Sequence, residues 1–220
     1  MGLIPDEHKQ HIKEDLEKSL LGEVKVIVFT QEIECQFCKQ TRELVQEIGE
    51  LSNKIQVEVY DFVKDAEKVK AYNIDKVPAI AVVGQKDYGV RFYGIPLGYE
   101  FKSFFDALVN VSKGESGLSE ETKKKLAAIN KPVHIQVFVS LTCPYCPLVV
   151  ELAHKFAMEN DLIRADYVEI GEFPPLAQKY GVMGVPKTVI NEKTELLGAV
   201  PEVVLLEQIL HSIQEPSIYI

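Results

Sequence analysis

The sequence predicts an α/β fold built twice: two small mixed sheets in succession, each flanked by helices. Three observations carry that reading. Apolar runs of strand length alternate with segments whose apolar residues recur at helical spacing, the pattern of strands joined through helices. The chain repeats itself at an offset of 108 residues, which relates Cys35 to Cys143, Cys38 to Cys146, Val77-Pro78 to Val185-Pro186 and Tyr72 to Tyr180. In each copy a Cys-x-x-Cys pair falls between an apolar run and a helical segment. A repeat of that length is a whole domain rather than a solenoid unit.

In the first unit, residues 6–21 read as a helix, with Ile12, Leu16 and Leu20 on one face and Gly22 as its stop. Residues 24–29 form a buried strand, and 37–51 the helix behind the first cysteine pair. Residues 55–62 alternate as a second strand, and 66–72 make a short helix. Residues 79–83 and 90–93 pair antiparallel around a turn at 84–89, and a helix at 99–111 closes the unit. The run Ser112-Lys113-Gly114-Glu115-Ser116-Gly117 marks the boundary. It divides the chain into units 1–117 and 118–220.

Ser119 caps the next helix, with Glu120 and Glu121 in its first turn. The second unit then repeats the first: strand 133–140, helix 144–158, strand 164–170 and a short helix at 176–180. A hairpin of 188–190 and 196–197 and a last helix at 202–213 complete it. Strands joined through helices pair in parallel, and each hairpin adds an antiparallel edge. Each sheet is thus mixed and mostly four-stranded.

The 220 residues suit two units of about 110. With 46% hydrophobic residues the chain can fill a core in each, and no apolar run approaches a membrane span. Residues 1–10 contain no apolar stretch, so no signal peptide is expected and the expected compartment is the cytoplasm. A net charge of −9 speaks against nucleic acid and membranes as partners. Lys123-Lys124-Lys125, beside Leu126 and Ile129, reads as one solvated helix face. No Trp, few Met and abundant Glu, Lys, Ile and Val lean towards a hyperthermophile, whose cytosol tolerates protein disulfides.

All four cysteines fall in the two pairs. A pair that closes a four-residue loop removes little unfolded-state entropy, so these cysteines serve chemistry or metal binding rather than stapling. At a strand-to-helix turn the first sulfur lies near unpaired backbone N–H groups and the positive end of the helix dipole. That setting lowers a cysteine pKa from ~8.5 to between ~3.5 and ~7.5. Pro144 suits the first helical position, and the second cysteine of each pair lies within disulfide reach. Zinc held by four thiolates is the alternative, but such sites place their pairs ~15–20 residues apart in short sequences. Here 104 residues separate Cys38 from Cys143.

A Val-Pro step follows in each unit, its proline 43 residues after the first cysteine. Cys-x-x-Cys with such a proline resembles the thioredoxin superfamily, and Cys143-Pro144-Tyr145-Cys146 resembles the motif of glutaredoxins. Two such units in one chain resemble the glutaredoxin-like protein disulfide oxidoreductases of hyperthermophilic archaea and bacteria, over essentially the whole length. The resemblance implies thiol–disulfide exchange with protein substrates, with Cys35 and Cys143 attacking and Cys38 and Cys146 resolving. It implies cis bonds at Pro78 and Pro186, with Val77 and Val185 presenting backbone groups to an extended substrate. It also implies a thioredoxin-reductase-like flavoprotein as electron donor and no cofactor beyond the redox-active disulfides.

The pattern departs from its relatives in places. Where thioredoxins carry a buried Asp for proton transfer, this chain has Phe29 and Val137 or Phe138, so the proton acceptor for Cys38 and Cys146 is unidentified. Glu34 and Thr142 stand in place of the tryptophan before the first cysteine. Gly94-Ile95-Pro96 and Gly198-Ala199-Val200 replace the Gly-Gly segment that holds glutathione, which favours protein substrates. Glu32 and Glu34 disfavour a thiolate at Cys35 while Lys39 and Arg42 favour it, so Cys143 is expected to be the more acidic. His8, His11, His134, His154 and His211 read as surface or packing residues, and no Gly-rich phosphate loop appears. A redox-inert peptide-binding adaptor remains a further reading, as does a component like the N-terminal domain of alkyl hydroperoxide reductase flavoproteins.

Overall fold

Eight strands join in one continuous sheet, where the sequence led us to expect a separate sheet in each unit. The structure, a computed structural model, describes residues 2–214. The first unit runs α1 (Asp6–Ser19), β1 (Val24–Thr30), α2 (Cys38–Glu50), β2 (Ile55–Asp61), α3 (Ala66–Ala71), β3 (Ala79–Val83), β4 (Asp87–Tyr93) and α4 (Phe101–Lys113). A single 3-10 turn, Gly98–Glu100, leads into α4. The second unit runs α5 (Glu120–Ala127), β5 (Val133–Val139), α6 (Cys146–Glu159), β6 (Ile163–Glu169), α7 (Pro174–Lys179), β7 (Lys187–Ile190), β8 (Thr194–Leu197) and α8 (Glu202–Gln214).

The strand order is β2-β1-β3-β4-β6-β5-β7-β8. The join is a parallel ladder in which Val90 to Tyr93 of β4 pair with Ala165 to Val168 of β6. Strand β4 is therefore no edge, contrary to the sequence expectation, and only β2 and β8 are. The physical reason lies in β4 itself. It is buried from Val90 to Tyr93, whereas β8 buries neither face completely. Arg91 tolerates that burial because its guanidinium pairs with Asp87 at 2.5 Å and donates to the carbonyl of Tyr72. Arg164 clasps the same seam, donating to the carbonyl of Asn73 and the hydroxyl of Tyr93, each at 2.5 Å.

Strand alternation sorts side chains between two cores. Val26 and Val28 face the larger core, with α1, α2, α4, α5, α6 and α8; Ile27 and Phe29 face the smaller, under α3 and α7. The larger core crosses the seam without interruption, so the two units share it.

Several boundaries differ from those read in the sequence. Helix α1 stops at Ser19, before Gly22, because Leu20 turns extended to bury its side chain. Strand β4 starts at Asp87 and its pairing with β3 shifts register at Val82/Val83, so the hairpin turn is shorter than 84–89. Helix α4 runs two residues into the boundary segment and closes on left-handed Gly114. That segment packs against both units: Leu21 N–H donates to Ser112, and Ser116 hydrogen-bonds Glu159. Ser119 caps α5 by accepting from the N–H of Thr122.

Candidate active sites

Strands β1, β2, β4, β6 and β5 all point the same way, so both cysteine pairs open at one end of the sheet. Four strand spacings separate β1 from β5, about 19 Å. Each pair is closed as a disulfide, Cys35–Cys38 and Cys143–Cys146, with Cα atoms 5.5 Å apart. The peptide bonds Val77–Pro78 and Val185–Pro186 are cis. Pro78 and Pro186 are buried and their valines half-buried, at the entrance to β3 and β7.

The helices do not start where the sequence placed them. Helix α2 begins at Cys38 and α6 at Cys146, the second cysteine of each pair. Pro144 therefore lies in the turn before α6, and Pro147 occupies the first helical turn. The first sulfur still meets the helix terminus in the second unit, where the N–H of Cys146 donates to Cys143 Sγ at 3.2 Å. The same sulfur lies 3.8 Å from the carbonyl oxygen of Val185. Dithiol and cis-proline loop thus meet there.

The first unit is arranged differently. Its loop is one residue longer, and Glu34, directly before Cys35, adopts a left-handed φ of 61°. A backbone N–H again reaches a sulfur, but it is that of Gln31 donating to Cys38 Sγ at 3.4 Å. Cys38, Cys143 and Cys146 are buried, whereas Cys35 is half-exposed.

Glu100 is the residue that sequence reasoning missed. It belongs to the first unit but lies against the second, because the 3-10 turn packs on α6 and Tyr99 N–H donates to the carbonyl of Leu141 at 3.0 Å. Leu141 stands two residues before Cys143. Gly98 permits this approach: its φ is +60°, and a Cβ there would strike the Leu141 carbonyl. Glu100 is wholly buried, with one carboxylate oxygen accepting from Ser103 at 2.5 Å and the other unpartnered. Burial lifts its carboxyl to about 7, the Ser103 hydrogen bond pulls downward, and the charge of Glu169 pushes up again. In sequence the only signal was an acid at a helix start, where it reads as a partner for the dipole.

Phe29 and Phe138 are wholly buried in the smaller core and offer no proton acceptor. Among the histidines, His134 pairs with buried Asp166 at 2.6 Å, and buried His154 packs edge-on against Phe92. The four cysteines do not converge. Among the described residues no three of His, Cys, Asp and Glu are placed to share a metal ion. No described helix is long and apolar enough to cross a membrane.

A strand–turn–helix dithiol beside a cis-proline strand, made twice, defines a tandem thioredoxin-fold protein. The chain belongs to the thioredoxin-domain family, whose model matches residues 23–106 and again 133–211. Among solved structures it is similar to a protein disulfide oxidoreductase from Aeropyrum pernix, at 31% identity and a TM-score of 0.88, over 93% of this chain and 91% of that one. It is also similar to an alkylhydroperoxide reductase from Enterococcus faecalis, at 27% identity and a TM-score of 0.85, over 94% and 99%. A Bacillus subtilis protein named NADH dehydrogenase is 29% identical over 150 residues, 67% of this chain and 27% of the relative. The chain thus spans less than a third of the length of the curated relatives it first matches.

Proposed function

We propose that this protein is a thiol–disulfide oxidoreductase that exchanges disulfides with protein substrates through both cysteine pairs. The observation that carries the reading is the meeting of Cys143 Sγ with the Val185 carbonyl, 3.8 Å apart beside a cis proline. An extended substrate backbone pairing with Val185 lays its own sulfur against Cys143. Val77 and Pro78 serve Cys35 in the same way. In the reductive direction the Cys143 thiolate attacks the substrate disulfide, forming a mixed disulfide and releasing one substrate thiolate. Cys146 then loses its proton to Glu100 and attacks Cys143, which restores the Cys143–Cys146 disulfide and releases the second substrate thiolate. Two electrons have passed to the substrate. A dithiol carried by a thioredoxin-reductase-like flavoprotein returns them. Run backwards, the cycle oxidises dithiols, and escape of the mixed disulfide to another substrate cysteine isomerises. The cycle needs no cofactor beyond the two disulfides.

The strands that lead into the two pairs lie about 19 Å apart across the sheet, too far for the pairs to exchange with each other inside one molecule. Each therefore engages substrate or donor separately. A redox titration read by alkylation and intact mass tests the reading. Two separate two-electron transitions are expected, one mapping to Cys35–Cys38 and the other to Cys143–Cys146. Stoichiometric zinc, with thiols that resist titration until a chelator is added, overturns it.

A further inference from the structure

Each cis-proline loop is tied at its base by a buried cation, and the two units use different residues for it. In the first unit the guanidinium of Arg91, on β4, donates twice to the Tyr72 carbonyl, at 3.1 and 3.2 Å. Tyr72 ends α3, just before the loop that leads to Pro78. In the second unit the equivalent carbonyl, that of Tyr180, accepts from Lys187 of β7 at 2.6 Å. Ala79 pairs with Tyr93 and Lys187 with Leu197, which aligns the two hairpins. Lys187 therefore stands where the first unit has Ala79, and Glu195 where it has Arg91. The cation has changed strands while its target carbonyl is the same. A carbonyl beyond a helix end has no helical N–H to accept from, so a donor from elsewhere serves it in each copy.

The change of strand gives Lys187 a reach that Arg91 lacks. It directly follows Pro186, yet it contacts the start of the same loop, donating also to the Gly181 carbonyl at 3.4 Å. Its ammonium thus closes the loop 181–186 into a ring. The third donor goes to Glu195 of β8 at 2.8 Å, so every proton of the ammonium is placed although the side chain is only 10% exposed. Lys187 and Glu195 lie diagonally across the β7–β8 hairpin, a spacing that long side chains bridge. Before Pro186, Met183 is 98% exposed and Gly181 and Gly184 have no side chains, which leaves Val182 and Val185 to pack inward. The ring carries Val185, whose carbonyl oxygen lies 3.8 Å from Cys143 Sγ.

We propose that Lys187 is a positioning residue of the second site: by tying both ends of the 181–186 loop to one ammonium, it aims the Val185 carbonyl that pairs with the substrate backbone beside Cys143. This rests on the reading of Cys143 as a nucleophile towards protein disulfides. A substrate with a peptide backbone needs the loop in place, whereas a small disulfide has no backbone to pair. Arg91 holds only the start of the first loop, so the effect belongs to the second site.

The test uses full-length protein with Cys35 and Cys38 both replaced by Ser, leaving the second site alone, and measures single turnovers of the reduced protein. One substrate is a short disulfide-bonded peptide and the other bis(2-hydroxyethyl) disulfide; the ratio of their rates is the readout. Lys187→Met keeps the apolar stem and removes the charge. Its peptide rate is expected to fall about tenfold, the scale of one lost hydrogen bond, and its small-disulfide rate by less than about twofold. Lys187→Ala, with the residue the first unit carries there, is expected to do the same. Adding Glu195→Arg to Lys187→Ala rebuilds the first unit's arrangement and is expected to restore the ratio. The converse protein, with Cys143 and Cys146 replaced by Ser, is expected to keep its ratio in Lys187→Met. An unchanged ratio at the second site, the same change at the first, no recovery in the double variant, or failure of both single variants to fold makes Lys187 a support of the fold alone and overturns the proposal. No Cys143-dependent turnover of the peptide, with Lys187 in place, instead overturns the exchange reading beneath it.

Discussion

The first and second dithiols share a strand, a turn, a helix and a cis Val–Pro step, yet what surrounds them differs in kind. The first has a longer loop, a half-exposed Cys35 and a charged Asp75–Lys76 corner laid on Tyr93. The second is overlaid by its neighbour, since the turn that Gly98 allows lays Tyr99 N–H on the Leu141 carbonyl and buries Glu100 close to Glu169 of the second unit. Its nucleophile is buried and held by a helix N–H. Duplication supplied two copies of a reactive motif, and the seam between them set a buried acid beside the second unit alone. Joining β4 to β6 also left only one cis-proline loop beside a free sheet edge. A repeat in sequence does not imply equal sites when the copies pack head to tail.

The strongest way to break that comparison is Glu100→Gln. General bases contribute roughly 10²–10⁴-fold, so resolution of the mixed disulfide at Cys143 is expected to slow about a hundredfold near pH 7. Resolution at Cys35 should not change. With Glu100 present the second site's rate should rise with pH through about 7, as the carboxyl loses its proton. In the Gln variant that inflection should vanish. Single-turnover measurements on the two single-site proteins across pH separate these outcomes. An equal loss at both sites would mean that Glu100 only supports the fold.

The same carboxyl makes a second, thermodynamic difference between the units. Its folded pKa, about 7, lies above the ordinary value of 4.5, because burial disfavours the charge. Its contribution to stability is therefore fully present below about 4.5 and is lost as pH rises through 7. The loss is about 3 kcal/mol as an upper bound. Denaturant unfolding at pH 5 and pH 8 should show wild type losing more stability over that interval than Glu100→Gln. Glu172, lifted to about 7 by burial and by Glu169, keeps part of the dependence in the variant. Equal pH slopes in the two proteins would remove Glu100 from the account.

The sequence made the duplicated motif legible because thiol chemistry and the 108-residue offset are local and repeated. Most elements were legible too, since their apolar periods are strong. What the seam made was not. Strand β4, with Val90, Phe92 and Tyr93, reads like any strand, and nothing local says that β6 will cover its outer edge. Pro144 looked like a helix start because proline fits there, yet the helix waits two residues until the disulfide has turned the chain. Glu100 carried no sign of burial in the sequence, because that burial follows from the contact with Leu141, more than forty residues away.

The smallest expected effect concerns the two nucleophiles themselves. Once reduced, Cys143 Sγ keeps the N–H of Cys146 as a donor, and a hydrogen bond to a charged acceptor contributes about 1.5–3 kcal/mol. Burial opposes it, because Cys143 is less exposed than Cys35 and desolvation disfavours a thiolate. At Cys35 the sign of each influence reverses: more solvent favours the thiolate, whereas Glu32 and Glu34 nearby in sequence disfavour it. The donated N–H in that unit goes to Cys38 instead. The hydrogen bond at Cys143 is direct and the carboxylates at Cys35 are exposed and screened by water, so the balance falls to Cys143 as the more acidic thiol. Iodoacetamide alkylation of each reduced single-site protein against pH measures both apparent pKa values. A lower value at Cys35 would show that solvent exposure outweighs the helix N–H, and would reverse the order of the two sites as nucleophiles.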